Sequence, residues 1–496
     1  MLRFHSSKKK TMRKNIKSLL FAAVMGSAAL VSCNKYLDIN DNPNNPEKSD
    51  PSLLLPSVEA SISQVVGNQF QTYGNMWAQY WTQNPSSSQY QTIDQYNMRG
   101  TNSDRAWLNL YRGALNNAEI IINTQGPTHA QYRATAYILK AYAFQLATDA
   151  FGDVPLSEAL KAGDNLNPVY EKQEVVYDSI FTYIDKGISE LKSLNTSIAN
   201  NPGDQDMLFK GDANEWITFA NTLKLRAYLR ISNVNPAKAE AGIKALYATN
   251  PSFISKDVSI AYTTTGGNEN PMYNEMVALG RVQNVVASGT VINAFKANND
   301  PRQFVLFEKI SGQDTIAWIA QGGYRGMNRK LVSPPSAIVG ANANIPNSAL
   351  APVKLISKAE SYFLQAEAAL KGWGSGSVQS LYESGVRAAF EAVGLSTEAN
   401  AYLTSAPDAE LGTGEEAQLK AIITQKYYAM CGFQGFEAWN EWRRTGYPTF
   451  FTVSKESIIG AGLFPVRMVY PNSEATTNAK YPGTISVSNP VWWDVK

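Results

Sequence analysis

Apolar residues that return at steps of three and four run through most of this chain, and they constrain it to a helical scaffold. Trp107, Tyr111, Leu115, Ala118 and Ile122 form one such face. Ala136, Leu139, Ala143, Leu146 and Ala150 form the next, and Trp216, Ala220, Leu223 and Ala227 another. Ala359, Phe363, Ala366 and Leu370 come later, then a helix around Leu419 to Met430. A period near 3.6 residues puts these side chains on one buried side of a helix. Gly126-Pro127 and Gly374-Ser375-Gly376 interrupt the runs, so the helices arrive in pairs near 104–150, 173–232, 357–394 and 415–446. Paired helices with alanine at the contacts bury a continuous core only when stacked on their neighbours.

Between 250 and 351 the pattern changes to Gly, Asn, Thr and Pro, as in TTTGGNENPMY and SPPSAIVGANANIPNS. Apolar pieces such as Phe304-Val305-Leu306-Phe307 persist there. Long loops inside a compact domain are usually functional or disordered, and the apolar pieces favour order, so this stretch reads as an ordered, loop-rich α+β lobe forming the ligand face. The expected fold class is mainly α, with residues 51–496 as a single domain.

The start of the chain is of another kind. Lys8, Lys9, Lys10, Arg13, Lys14 and Lys17 precede an apolar run from Leu19 to Val31. A spanning helix needs about 20 apolar residues, so this shorter run reads as a secretion signal over residues 1–32. Leu30-Val31-Ser32-Cys33 resembles a bacterial lipobox, which implies cleavage before Cys33 and lipidation of that residue. Met12 to Cys33 alone has the usual length for such a signal. Asn34 to Asp50 is rich in Asn, Asp and Pro and too polar to fold alone, so 33–50 reads as a lipidated tether. Losing the signal removes seven Lys and Arg and no acid, which leaves 37 bases against 42 acids, a net charge of −5. The basic balance belonged to the signal, and no nucleic-acid partner is expected.

Histidine and cysteine counts exclude more. Cys431 is the one cysteine after Cys33, and His129 the one histidine after His5. Neither an internal disulfide nor a multi-histidine metal site can form, and no cofactor is expected. Glu437 and Glu441 in GFEAWNEWRR stand four apart on a helix. Two carboxylates about 5–9 Å apart can cleave a glycosidic bond, which makes a surface glycan-degrading enzyme the alternative reading. Arg443 and Arg444 beside them favour paired charges and a packed helix instead. Aromatics supply the ligand-binding candidates. Trp77 and Trp81 stand four apart, as in a buried stripe, whereas Tyr90 and Tyr96 lie among Ser and Gln and are expected at the surface. Tyr273, Trp318, Tyr324 and Arg325 sit in stretches read as polar loops, where exposed aromatics and Arg favour recognition.

Taken in order, AQYWTQ (78–83), TDAFGDVPLSEAL (148–160) and GDANEWITFANTLKLRAYLRIS (211–232) resemble the SusD/RagB family of Bacteroidetes nutrient-binding lipoproteins. DPR (300–302), SKAESYFLQAEAALKGW (357–373), GFEAWNEWRRTGYP (435–448) and VWWD (491–494) continue the resemblance to the C-terminus, within the SusD-like branch that ends in Trp-Trp-Asp. The resemblance implies a right-handed stack of tetratricopeptide-like helix pairs carrying a loop-rich ligand face. It implies an oligosaccharide or peptide ligand, held at the cell surface through a lipid anchor in the outer membrane. It also implies a SusC-like TonB-dependent transporter as partner, with the lipoprotein as its lid. Asp38 and Asp41 sit where surface-export signals occur in such lipoproteins. The family has no catalytic residues, and its ligand contacts vary between members.

Overall fold

A computed structural model describes residues 50–264, 266–325 and 332–496. The expected signal, Cys33 and all of the tether but Asp50 lie outside the described residues. The first described helix, Pro51–Val66, starts where Asp50 accepts a hydrogen bond from the Ser52 amide at 2.8 Å. That cap satisfies one of the orphan donors of the first turn, and Pro51 occupies a position where no amide is needed. Leu54, Leu55, Val58, Ile62 and Val65 form its buried face. The chain turns at Gly67 into Gln69–Trp77, a helix whose every residue is buried.

The Gln69–Trp77 helix crosses Gly435–Thr445 at close range, and two glycines make the approach feasible. A Cβ on Gly74 would lie 2.1 Å from the Phe436 amide nitrogen, and one on Gly435 would lie 2.4 Å from that of Asn75. Neither position has room for a side chain. Around this crossing the helices stack in pairs. Ala130–Phe151 packs along Gln173–Lys192, which packs in turn on Ala213–Arg230. Lys358–Leu370 packs along Val378–Glu391, and Glu415–Met430 lies against both. No helix among the described residues is long and apolar enough to cross a membrane.

The stretch after Asp104 departs from its expected periodicity. Residues 109–115 form π-turns between the helices Asp104–Leu108 and Asn116–Asn123. A π-turn inserts an extra residue and so rotates the face of the next helix. The buried face therefore becomes Trp107, Leu110, Ala114, Leu115, Ala118 and Ile121, while Tyr111 and Ile122 are half-buried.

The loop-rich lobe is stitched to the scaffold by short antiparallel pairs. The strand Trp81–Gln83 pairs with Val285–Ala287, placing Trp81 opposite Ala287. The strand Val258–Ile260 pairs with Val353–Ile356, placing Val258 opposite Ile356. Within the lobe lie the helices Pro271–Ala278 and Gly289–Ala297. The C-terminal Trp-Trp-Asp segment returns to the centre. Trp493 is fully buried and donates from its indole to Asp149 at 2.8 Å. Arg443 lies between the rings of Trp439 and Trp493, 3.6 and 4.5 Å from their centroids.

Candidate functional site

Glu437 and Glu441 are not open to a substrate. Both are buried, and the guanidinium of Arg230 spans them. Arg230 also faces Asp149 at 3.4 Å. Arg444 bridges Glu441 at 2.6 Å and Glu367 at 2.7 Å, and Lys426 approaches Glu441 at 3.3 Å. Burial alone would raise the Glu441 carboxyl, but the charges of Arg444, Lys426 and Arg230 outweigh it and hold it well below the usual range. A carboxylate locked in this state has no proton to give to a leaving group at neutral pH. The pair is a structural element of the helix stack.

Most of the aromatic candidates are also interior. Trp77 is buried and donates to the Ile93 carbonyl at 3.2 Å, and Trp81 is fully buried in the strand Trp81–Gln83. The surface position expected for Tyr90 and Tyr96 is corrected. Tyr90 is 5 % exposed and its hydroxyl donates to Glu275 at 3.0 Å. Tyr96 is 2 % exposed and its hydroxyl accepts from the Ser454 amide at 3.2 Å. In each case a remote segment satisfies the hydroxyl, so the ring can be buried. Tyr273 is buried on a helix, not in a polar loop, and Tyr324 is buried with its hydroxyl accepting from Gln95 at 3.0 Å. Arg325 is exposed and paired with Glu456 at 2.7 Å. Among the aromatic candidates, Trp318 alone is substantially exposed, at 37 %.

Trp318 closes one end of a hollow of about 490 Å³. Its benzo ring lies against Gly289, where a Cβ would come within 2.4 Å of the ring. One wall is the Gly289–Ala297 helix, whose Thr290, Asn293, Ala294 and Ala297 line the hollow. These residues fall in the i, i+3, i+4, i+7 pattern of one helix face, while Val291, Ile292 and Phe295 face the core. Phe450, Thr452 and Asp408 also line it, and Asp408 meets the C-terminal end of the helix through Asn298 at 2.7 Å. From Gly289 to Ala297 the helix rises about 12 Å, which sets the length of the wall.

Buried amides hold the walls in place. The Gln79 side chain accepts from the Thr290 hydroxyl at 2.7 Å and from the Thr452 amide at 3.1 Å, and donates to the Thr452 carbonyl at 2.7 Å. At the base, Gln321 accepts from Ser288 at 2.9 Å and donates to Asp94 at 2.6 Å. Asp94 accepts from Thr82 and from the Gln83 amide, both at 2.7 Å.

Burial pushes the Asp94 carboxyl up to about 6, against the pull of its hydrogen bonds from Gln83, Thr82 and Gln321. A carboxyl raised from an ordinary value near 3.8 favours the fold while protonated, and that contribution is lost as pH rises through about 6. This group alone should lower the unfolding free energy by roughly 2–3 kcal/mol between about pH 4 and pH 7. Denaturant titrations of Asp94→Asn should show that part of the slope removed. An unchanged slope would mean that Asp94 does not titrate in this range.

A second depression lies between the Asp104–Leu108 and Pro271–Ala278 helices, lined by Gln64, Gln89, Arg105, Asn274 and Glu275 among others. The Arg105–Glu275 ion pair at 2.9 Å bridges it, and Tyr90 occupies the other Glu275 oxygen. No cluster of three or more His, Cys, Asp or Glu that could hold a metal ion occurs among the described residues.

Sequence reasoning reached Trp318 and missed the residues that surround it. The small-and-polar stripe of Thr290, Asn293, Ala294 and Ala297 was the local signal available for the helical wall. Asp408, Phe450 and Thr452 come from distant segments and carry none.

Comparison with known proteins agrees with this architecture. A family model described as starch-binding, associating with the outer membrane, matches residues 43–471. The chain belongs to this SusD-like family. Among solved structures it is similar to a chitin-binding SusD homologue from Flavobacterium johnsoniae, at 24 % identity over 88 % of this chain and 99 % of that one, with a TM-score of 0.74. It is also similar to a chitin-binding protein, at 26 % identity over 90 % of this chain and 100 % of that one, with a TM-score of 0.76. A SusD homologue from Bacteroides uniformis aligns at 26 % identity over 90 % and 100 % of the two chains, with a TM-score of 0.73. No curated protein matches the chain.

Proposed function

We propose that this protein is a surface lipoprotein that captures a neutral glycan in the Trp318 hollow and passes it to a SusC-like TonB-dependent transporter, as its lid. The observation that carries the ligand class is the chemistry of the hollow. Trp318 and Phe450 offer apolar surfaces of the kind that pack on sugar rings, and Thr290, Asn293 and Thr452 offer hydroxyl and amide groups. Its one ionisable residue is the carboxylate Asp408, with no Lys or Arg in the lining. That balance repels uronate and sulfate groups and gives a peptide carboxylate no partner. The starch and chitin named for the family and its relatives are both neutral polymers, which supports the same class. Family membership, rather than any contact in this chain, supports the transporter.

Calorimetric titration with starch-derived and chitin-derived oligosaccharides should give binding, with acidic oligosaccharides and peptides giving none. Trp318→Ala should weaken that binding at least tenfold, about 1.4 kcal/mol, with an unchanged melting temperature. Equal binding of acidic oligosaccharides would refute the assignment of the ligand class. Anchoring is tested separately. Cys33→Ser should move the protein out of the membrane fraction or leave it unprocessed, and wild-type processing with membrane retention would rule out Cys33 as the lipidated residue.

A further inference from the structure

Asp408 belongs to two hollows. Besides closing the Trp318 hollow, it lines a neighbouring open depression of about 330 Å³ with Pro407, Glu410, Leu411, Ala417, Lys420 and Thr424. We infer that the ligand track continues over Asp408 into this second hollow, so that the protein grips a linear neutral oligosaccharide along both. The inference rests on the neutral-glycan reading of the first hollow and extends it.

The carboxylate at the junction is held in one orientation. Asn298 donates to its Oδ2 at 2.7 Å, and the Tyr428 hydroxyl donates to the same oxygen at 2.6 Å. The Asp408 amide answers by donating to Asn298 Oδ1 at 2.7 Å. Among the described residues Oδ1 of Asp408 has no hydrogen bond, which leaves a fixed acceptor for sugar hydroxyls where the hollows meet. Preorganisation of this kind removes the entropy cost of ordering the group on binding.

The far wall repeats the design of the near one. On the Glu415–Met430 helix, Ala417, Lys420, Ala421 and Thr424 line the second hollow at i, i+3, i+4 and i+7. That is the spacing of Thr290, Asn293, Ala294 and Ala297 in the first. Small residues again leave room, and polar ones again supply donors and acceptors. Thr424 is 5 % exposed, and its Oγ1 has no hydrogen-bond partner among the described residues. A buried hydroxyl without a partner is costly unless a ligand or water completes it. Lys420 and Glu410 are exposed and opposite in charge, so together they add no net charge to the track.

The test compares a disaccharide with a hexasaccharide of the same starch-derived or chitin-derived series, titrated into the full domain. In the wild type the hexasaccharide should bind at least tenfold more tightly. Ala417→Trp, which fills the second hollow from an exposed helix position, should abolish this gain while leaving the disaccharide affinity unchanged. Thr424→Val should reduce the gain without lowering the melting temperature by more than a few degrees. Equal hexasaccharide affinity in wild type and Ala417→Trp would overturn the extended track while leaving the Trp318 site standing. Loss of neither affinity in Trp318→Ala, or no binding of either series to the wild type, would instead overturn the underlying reading and the track with it.

Discussion

Replacing Arg230 by alanine is expected to destabilise the fold by about 3–5 kcal/mol, because it strips one shared cation from several buried carboxylates. Arg230 is fully buried and faces Glu437, Glu441 and Asp149. Without it, Glu437 keeps only weaker partners, among them a long hydrogen bond from Asn440 at 3.3 Å. Glu441 keeps Arg444 and Lys426, but Glu437 loses its one ion-pair partner among the described residues and cannot reach water, so it must be protonated or the helices must part. Denaturant unfolding of Arg230→Ala measures the loss directly, and a change below about 1 kcal/mol would contradict the network described. Combining Arg230→Met with Glu437→Gln should recover part of the loss, since it neutralises the carboxylate that Arg230 alone pairs with and leaves Glu441 to Arg444 and Lys426. The same geometry sets the sign with pH. The Glu441 carboxyl is held well below its ordinary value near 4.5, so its contribution is present above that pH and is lost as pH falls.

The second large effect is expected at Trp442. Its ring stacks on Phe451 with centroids 5.1 Å apart, meets Phe464 at 5.1 Å, and carries the Lys496 ammonium 3.4 Å above it. Truncation to alanine removes these contacts and opens a cavity where the C-terminal segments meet the Gly435–Thr445 helix. The expected cost is about 3–5 kcal/mol, as for other large-to-small changes in a core. Glycan affinity of the folded variant should stay at the wild-type value, because Trp442 does not line the Trp318 hollow. A stable variant with weakened binding would reverse the assignment and make Trp442 a ligand contact.

Particular residues show what was legible before folding. Trp77 and Trp81 are both inside, as their four-residue step suggested, but only Trp77 lies on a helix; Trp81 is buried because its strand pairs with Val285–Ala287. The arginines beside Glu437 and Glu441 indicated paired charges, and Arg444 does pair with Glu441. Arg443, by contrast, leaves the carboxylates for the faces of Trp439 and Trp493 and the Asp149 carbonyl at 2.7 Å. Trp439 stands one helical turn earlier, within reach of a spacing rule, but Trp493 and Asp149 lie far along the chain, and no spacing could name them. Tyr90 and Tyr96 were misplaced for the same reason. Serine and glutamine neighbours suggested solvent, while the groups that meet their hydroxyls stand on Glu275 and Ser454, brought close only by the tertiary fold. The Trp318 hollow is largely of this kind. Trp318 rests on Gly289, and Asp408, Phe450 and Thr452 arrive from other places in the chain.

A crystal structure of the protein soaked with a starch-derived or chitin-derived hexasaccharide tests the central claim most directly. The expected result is sugar density packed on Trp318 in the hollow along the Gly289–Ala297 helix, reaching Asp408. Density confined to the depression at Arg105 and Glu275, with the Trp318 hollow free of sugar, would contradict it.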